Sequence, residues 1–402
     1  MINQAVIFCG GYGKRLMPLT RRIPKPMIFV DDKPFLYHLI QQCKNNGIKN
    51  ILLLCGYKYP IIKDYFKDGK KLGLKIRYHY DPPNTETLKR IYNSKNLLRD
   101  KFLILYSDNY SSLNIRLLES GLKRSDLVIS LCKKIKGNIL INKKKNKIIK
   151  YSKYRTRNYN YVEIGYMVMR KKIILNKKFN INKEFNYLIQ DQIKNNKIDF
   201  LIKNEGYQSI SNQKRLILAK KYFLNKKIIL LDRDGVINLN NKKHRYVRNL
   251  DELKINKIFL NKYKNILAKK NILCITNQAG ISTGDVKVNN LKKIHIRIKK
   301  IYKKNKIKIV DFFVSKHHFN ENHYDRKPNP GLFIKSSKKY NFFLDKTIYI
   351  GDDIRDVEAA YRACCRCIYL GKKRLNKLQK FKYKFILKSF NFLKNASSKS
   401  RY

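Results

Sequence analysis

Short, unbroken apolar runs alternate along the chain with longer stretches of helical length. In the first half these runs are AVIFC (5–9), NILLLC (50–55), KFLILY (101–106) and DLVISLC (126–132). After residue 225 the rhythm starts again with IILL (228–231), ILCIT (272–276), DFFV (311–314) and TIYIG (347–351). Continuous rather than alternating hydrophobicity marks strands buried on both faces, and helical spacers between them predict parallel sheets in an α/β protein. The restart predicts two doubly wound domains, 1–224 and 225–402. The join is expected near Tyr222–Lys226, after the helix-like KRLILAKKYF (214–223). The Lys/Asn-rich segment 142–158 breaks the rhythm and reads as an irregular insert or surface hairpin. No apolar run approaches the ~18 residues of a membrane span. The opening MINQAVIFCGG has no basic region before its apolar stretch, so a cytoplasmic protein with no membrane partner is expected.

Composition changes this picture little. The 402 residues include 91 Lys+Arg against 28 Asp+Glu, a net charge of +63. Such an excess would suit a polyanion surface. Lys, Asn and Ile are nevertheless abundant in strands, helices and loops alike, as AT-rich coding produces, and no aromatic-rich recognition motif accompanies them. A specific nucleic-acid partner is therefore not expected. Cys9, Cys55, Cys132 and Cys274 sit in apolar strand-like runs and read as reduced core residues. The cluster Cys364, Cys365 and Cys367 has poor spacing for one zinc and reads as structural.

The first candidate chemistry follows the first strand: Gly10-Gly11-Tyr12-Gly13-Lys14-Arg15-Leu16-Met17-Pro18-Leu19-Thr20, then Pro24-Lys25-Pro26-Met27. Glycines after a strand let backbone N–H groups approach phosphate oxygens. The Walker pattern fails because Arg15, not Ser or Thr, follows Lys14, and the dinucleotide fingerprint lacks its third glycine. The combination GGxGxRLxPLT…PKPM resembles the sugar-phosphate nucleotidyltransferases. That resemblance implies a Rossmann-like domain whose loop, through Gly10, Gly11 and Gly13, wraps a nucleoside triphosphate. Arg15 and Lys25 would hold phosphate charge during attack by a sugar 1-phosphate. It further implies that Thr85, in Pro83-Asn84-Thr85, lies near base and sugar, and that Asp108, in Tyr106-Ser107-Asp108, holds Mg²⁺. Glu163 and Gly165, in Glu163-Ile164-Gly165-Tyr166, would bind the sugar, with Lys153 contacting its phosphate. One departure stands out. Where the family has a second metal-binding aspartate, this chain has Ser209, and a neutral hydroxyl is a poor Mg²⁺ ligand beside a carboxylate.

The second candidate site opens where IILL ends in Asp232-Arg233-Asp234-Gly235-Val236-Ile237-Asn238. Residues i and i+2 of an extended segment face one side, so both carboxylates can meet at one site. Cys274-Ile275-Thr276-Asn277-Gln278 ends the next strand, Arg326-Lys327-Pro328-Asn329-Pro330-Gly331 opens a helix, and Ile350-Gly351-Asp352-Asp353 with Asp356 ends a later strand. In order and spacing these resemble the four motifs of haloacid dehalogenase-like phosphatases. The resemblance implies that Asp232 attacks phosphorus to form an aspartyl-phosphate and that Asp234 serves as general acid and then base. Thr276 and Asn277 would donate to the phosphoryl group and Lys327 would neutralise it. Mg²⁺ would lie between Asp232, the Asp234 carbonyl and Asp352, with Asp353 and Asp356 orienting the site from behind.

The finer pattern DRDGVIN, TNQAGI and RKPNPG, with Tyr246-Val247, resembles D-glycero-D-manno-heptose 1,7-bisphosphate phosphatases and the related histidinol-phosphate phosphatases. In that branch Arg326 could clamp a second phosphate. The branch often carries a cysteine-rich zinc loop before RKP. Here the thiolates are gone and His317, His323 and Asp325 remain, so a zinc-free loop is expected.

The two resemblances fit one another, since a heptose bisphosphatase leaves a heptose 1-phosphate and a sugar nucleotidyltransferase consumes a sugar 1-phosphate. The expectation is a bifunctional, Mg²⁺-dependent enzyme of nucleotide-activated heptose synthesis, acting on phosphorylated heptose and a nucleoside triphosphate whose base the sequence does not specify. The competing readings are a histidinol-phosphate phosphatase, an active phosphatase with a degenerate N-terminal binding domain, and a basic nucleic-acid-binding protein.

Overall fold

The computed structural model describes residues 1–388 other than 143, 177–180, 226, 242, 243, 245 and 385. It contains two compact units, Met1–Leu224 and the chain from Asn225 onward. Lys226, in the expected join, lies outside the described residues.

The strands of the first unit are β1 (Gln4–Cys9), β2 (Asn50–Cys55), β3 (Lys75–Tyr80), β4 (Lys101–Tyr106), β5 (Asn109–Tyr110), β6 (Leu127–Lys133), β7 (Gly137–Asn142), β8 (Lys147–Thr156), β9 (Tyr161–Arg170), β10 (Ile198–Ile202) and β11 (Gln208–Ser209). Its main sheet runs β10-β6-β9-β4-β1-β2-β3. β1, β2 and β4 are parallel, as expected, and β3, not among the expected runs, pairs parallel with β2. β9 corrects the parallel expectation, because it runs antiparallel to both β4 and β6. Its uniformly buried sequence, YVEIGYMVMR, encodes burial but not direction. Direction comes from the connection: β9 follows the β7–β8 hairpin and the short turn after it, with no helical crossover. The Lys/Asn-rich segment is the surface hairpin of the two alternatives. The core packs Val6, Phe8, Leu52, Leu54, Phe102, Ile104, Ile129 and Met167 against the helix Phe185–Lys194.

The second unit carries β12 (Ile228–Leu231), β13 (Asn271–Asn277), β14 (Lys308–Ser315), β15 (Ile348–Gly351) and β16 (Arg366–Tyr369). These form one fully parallel sheet in the order β14-β13-β12-β15-β16. The helices Lys257–Leu267, Val288–Lys304, Gly331–Tyr340 and Ile354–Arg362 alternate with the strands. Ile229, Leu231, Ile272, Cys274, Ile294 and Ile298 are among its core residues. The DFFV run lies on the edge strand β14 and is only half-buried. All eight cysteines are buried. Among the described residues no helix is long and apolar enough to cross a membrane.

Candidate active sites

In the first unit β1 delivers the glycine loop. Gly13 sits in the left-handed region at φ 67°, and the Thr20 hydroxyl donates to its carbonyl at 3.1 Å. Beneath the loop lies Arg90, which sequence reasoning missed. Its buried guanidinium donates to the carbonyls of Thr85, Cys55, Asp81 and Pro82 at 2.5–3.1 Å. A Cβ at Gly10 would stand 2.5 Å from that guanidinium, which explains the glycine. The residue looked like one more helix lysine-or-arginine. Only the convergence of four carbonyls on it reveals its role.

Lys25 and Asp108 meet across a cleft of about 300 Å³, with Nζ–Oδ2 2.8 Å. Gly11, Tyr106 and Thr87 line the same cleft. Thr85 stands two residues before Thr87 and gives its carbonyl to Arg90. Arg15 is exposed on the short turn Lys14–Leu16.

Gly165 (φ 75°) lies against the Tyr106 ring, where a Cβ would come within 2.6 Å. Glu163 accepts from the Gly165 amide, and burial, with Asp108 nearby, pushes its carboxyl up to about 7 against the opposing pull of that amide and Arg155. Lys153 stands exposed on β8 with its ammonium on Glu184 at 2.8 Å. β11 pairs antiparallel with β5, Ser209 opposite Asn109, and the Ile210 amide donates to the Asp108 carbonyl at 2.9 Å. The Ser209 hydroxyl accepts from the Ser211 amide at 3.2 Å.

In the second unit the motif residues converge at the carboxyl ends of parallel strands, where open α/β sheets place ligands. One cleft of about 280 Å³ is lined by Asp232, Asp234, Thr276, Asn277, Arg326, Lys327 and Asp352, together with Asn240, Tyr246 and Arg355. Lys327 is buried and its Nζ lies 2.9 Å from Asp232 and 2.6 Å from Asp356, and donates to the Tyr349 hydroxyl at 2.8 Å and the Ile275 carbonyl at 3.2 Å. Burial opposes its charge, but the two carboxylates outweigh burial and hold the ammonium well above the ordinary lysine value. Asp232 is raised by burial and by Asp356, against the pull of Lys327. Burial and Asp356 likewise push Asp352 up to about 6.

Asp356 also accepts from the amides of Asp352 and Asp353 at 3.1 and 3.0 Å and closes a capping box on the helix Ile354–Arg362. Gly235 (φ 79°) presses against the Asp352 carboxylate, where no Cβ would fit. The side chain of Asn277 is spent on Lys327. Its Oδ1 accepts from the Lys327 amide and its Nδ2 donates to the Lys327 carbonyl, each at 3.0 Å.

Asp234 has a different setting. Burial raises it, yet the Arg233 charge and hydrogen bonds from Asn238, Arg233 and Gln278 hold it below the usual carboxylate range. Arg233, with no exposure, donates to both its oxygens at 2.7–3.0 Å. Asn238 and Gln278 add bonds at 2.9 and 2.8 Å.

Carboxylate oxygens of Asp232, Asp352 and Asp356 lie within 4.8 Å of one another. Three acids with one ammonium among them, two raised by burial and mutual repulsion, form a hard-oxygen set that fits Mg²⁺. His317, His323 and Asp325 also converge within 4.8 Å, the two rings stacked at 3.3 Å. Their atoms are already engaged: Asp325 with Lys335, His317 Nδ1 with Glu321 at 3.0 Å, and His323 Nδ1 with the Asp325 amide at 3.1 Å. Arg326, lining the same cleft as Lys327, also donates to the His317 carbonyl at 3.2 Å.

Residues 4–121 match the model of the Nucleotidyl transferase family, and residues 227–385 match that of the Polynucleotide kinase 3 phosphatase family. The chain joins a nucleotidyltransferase domain to a haloacid dehalogenase-like phosphatase domain. Over 128 residues the transferase domain is 36% identical to the D-glycero-alpha-D-manno-heptose 1-phosphate guanylyltransferase of Campylobacter jejuni, covering 32% of this chain and 57% of that protein. It is 39% identical over 75 residues to the enzyme of the same name from Aneurinibacillus thermoaerophilus, covering 19% of this chain and 32% of that one. The chain thus spans between about a third and just over half of these curated relatives. A crystal structure of D,D-heptose 1.7-bisphosphate phosphatase from B. bronchiseptica, complexed with magnesium and phosphate, is 27% identical at a TM-score of 0.34, covering 36% of this chain and 79% of that one.

Proposed function

We propose that the phosphatase domain removes one phosphate from D-glycero-D-manno-heptose 1,7-bisphosphate, leaving heptose 1-phosphate, and that the transferase domain joins that product to a nucleotidyl group. The observation that carries the reading is the pairing itself. A domain similar to heptose 1-phosphate guanylyltransferases shares a chain with an aspartate-nucleophile site whose Arg326 stands beside Lys327 in the same cleft. The similarity favours GTP as the donor.

In the phosphatase domain Asp232 is the nucleophile, kept close to Lys327, which cancels charge gathering on the phosphoryl oxygens. Asn277 fixes the Lys327 main chain, and the Thr276 hydroxyl donates to the phosphoryl group. Arg326 takes the distal phosphate. Asp234 protonates the departing sugar oxygen and then accepts a proton from the hydrolytic water. Mg²⁺, held by Asp232 and Asp352 when bound, would supply positive charge between anionic nucleophile and anionic substrate. In the transferase domain Arg15 and Lys25 bear on the triphosphate, the glycine loop offers its amides, and Glu163 with Gly165 receives the sugar. Asp108 is the carboxylate that would hold a second Mg²⁺.

A second reading, an active phosphatase with a binding-only N-terminal domain, is favoured by Ser209, whose hydroxyl replaces a carboxylate and already accepts from Ser211. Incubation of the purified chain with heptose 1,7-bisphosphate and each nucleoside triphosphate, with product identification, separates the two. GDP-heptose supports the bifunctional reading. Phosphate release with no nucleotide use, even when heptose 1-phosphate is supplied directly, supports the second.

A further inference from the structure

Gln278 follows directly on the end of β13 and has no exposure. Its amide nitrogen donates at 2.8 Å to Asp234 Oδ2 and at 2.8 Å to Thr276 Oγ1. The carbonyl oxygen of the same amide is buried without a hydrogen-bond partner. A buried oxygen left so is costly. Turning the amide over would set that oxygen against the Asp234 carboxylate, so the nitrogen side must face the site. Asp234 lies just beyond β12 and Thr276 lies on β13, and this one amide ties them together.

We propose that Gln278 is a positioning residue for the phosphatase reaction, orienting the acid–base carboxyl of Asp234 and the hydroxyl of Thr276 at once. The inference rests on the aspartyl-phosphate reading above. Because Thr276 accepts from Gln278, its own hydroxyl proton is free for a phosphoryl oxygen in the cleft that Thr276 lines. Gln278 shares the hold on the Asp234 carboxyl with Arg233 and Asn238, and it alone links that carboxyl to Thr276.

In the first half-reaction a carboxylate oxygen of Asp232 bonds to phosphorus while the bond from phosphorus to the sugar oxygen breaks, and that oxygen takes a proton that solvent supplies through Asp234. In the second, water adds to phosphorus, its proton returns to Asp234, and the bond to Asp232 breaks to release inorganic phosphate. Asp234 therefore ends each cycle in the protonation state in which it began, with one proton drawn from solvent and one returned.

Leaving-group chemistry separates positioning from mere packing. An alkyl phosphate needs the proton from Asp234 for phosphorus–oxygen cleavage, whereas p-nitrophenyl phosphate expels a phenolate that leaves without one. The experiment measures kcat/KM, which reports steps through formation of the aspartyl-phosphate, for Gln278→Met and the isosteric Gln278→Glu with p-nitrophenyl phosphate and with heptose 1,7-bisphosphate. The expected result is a loss of about 100-fold or more on the sugar bisphosphate, with a loss on the aryl phosphate at least roughly tenfold smaller. Aryl turnover also reports that the domain is folded. An equal loss on both substrates in both variants, or no loss on either, overturns the proposal. Wild-type protein inactive on both substrates would instead overturn the phosphatase reading on which it rests.

Discussion

In the phosphatase domain Asp232, the proposed nucleophile, and Lys327 are buried, and Lys327 alone reaches two carboxylates, a phenol and a carbonyl. In the transferase domain Arg15 is exposed, and one half-buried pair, Lys25–Asp108, spans the cleft. On the proposed reading both sites handle phosphate, but they are finished at different stages. A covalent phosphoryl intermediate needs a site whose charges are balanced before substrate arrives, since every buried unpaired ion is costly. A loop that wraps a triphosphate takes its counter-charge from the ligand and can wait in solvent. Stability and chemistry should therefore be entangled in one domain and separable in the other.

The hardest test of that contrast removes one carboxylate at a time. Asp232→Asn should lower phosphate release from the bisphosphate by about 10⁴-fold or more, because no aspartyl-phosphate can form. Nucleotidyl transfer to supplied heptose 1-phosphate should persist. Asp108→Asn should do the reverse, with heptose 1-phosphate accumulating and no nucleotide-sugar formed. Loss of both activities in either variant would break the comparison.

Stability offers the next test. Lys327→Met leaves Asp232 and Asp356 buried without their cation and should cost about 3–5 kcal/mol in urea unfolding of the phosphatase domain. Lys25→Met should stay within about 1 kcal/mol. Similar costs would mean the two ion pairs are equivalent after all. Arg15→Ala should suppress nucleotidyl transfer by roughly 10²–10³-fold with unchanged phosphatase rates, read by paired assays on one preparation.

Glu163 gives a smaller, pH-dependent effect. Its carboxyl is raised from 4.5 to about 7. The folded state therefore binds the proton more tightly than the unfolded chain. Stability from this group is fully present below about pH 4.5 and is lost as pH rises through about 7. Glu163→Gln should remove that loss and raise transferase-domain stability at pH 8 by roughly 1–3 kcal/mol, with little change at pH 4. A flat difference between the two pH values would discard the assignment.

The smallest effect concerns the histidine loop. Metal analysis of purified protein should find less than one zinc per chain, and chelator treatment should leave phosphate release intact after Mg²⁺ is restored. Stoichiometric, tightly held zinc would overturn the zinc-free loop.

Much of the phosphatase cleft was legible because its residues follow strand ends, and a parallel sheet carries all its strand ends to one side. Asp232, Thr276 and Asp352 needed only that rule to be brought together, whereas Lys327, ahead of the helix Gly331–Tyr340, was placed by its motif. Gln278, Arg233 and Tyr349 were not legible, since their roles depend on what faces them across the sheet. Tyr349 looked like one more member of an apolar run, yet it hydrogen-bonds Lys327 and, at 2.9 Å, Asp356. In the transferase domain the glycine loop was legible, but its support was not. Arg90 lies on a short helix, and nothing local says that four carbonyls point at it. The direction of β9 was hidden for a related reason, because hydrophobicity reports burial and is blind to polarity of the chain.

The clasp between Asn277 and the Lys327 main chain bears on the order in which activities come into being. Lys327 is held by Asn277 on one side and by Asp356 on the other, and these residues leave the ribosome far apart in time. A nascent chain that stops short of Asp356 lacks part of the setting that holds Lys327 in place. Every nucleotidyl-site residue named above lies within Met1–Leu224, a compact unit already synthesised by then. On the proposed reading, each growing polypeptide holds its transferase residues before its phosphatase residues are complete, the reverse of the order in which the two reactions would use the sugar.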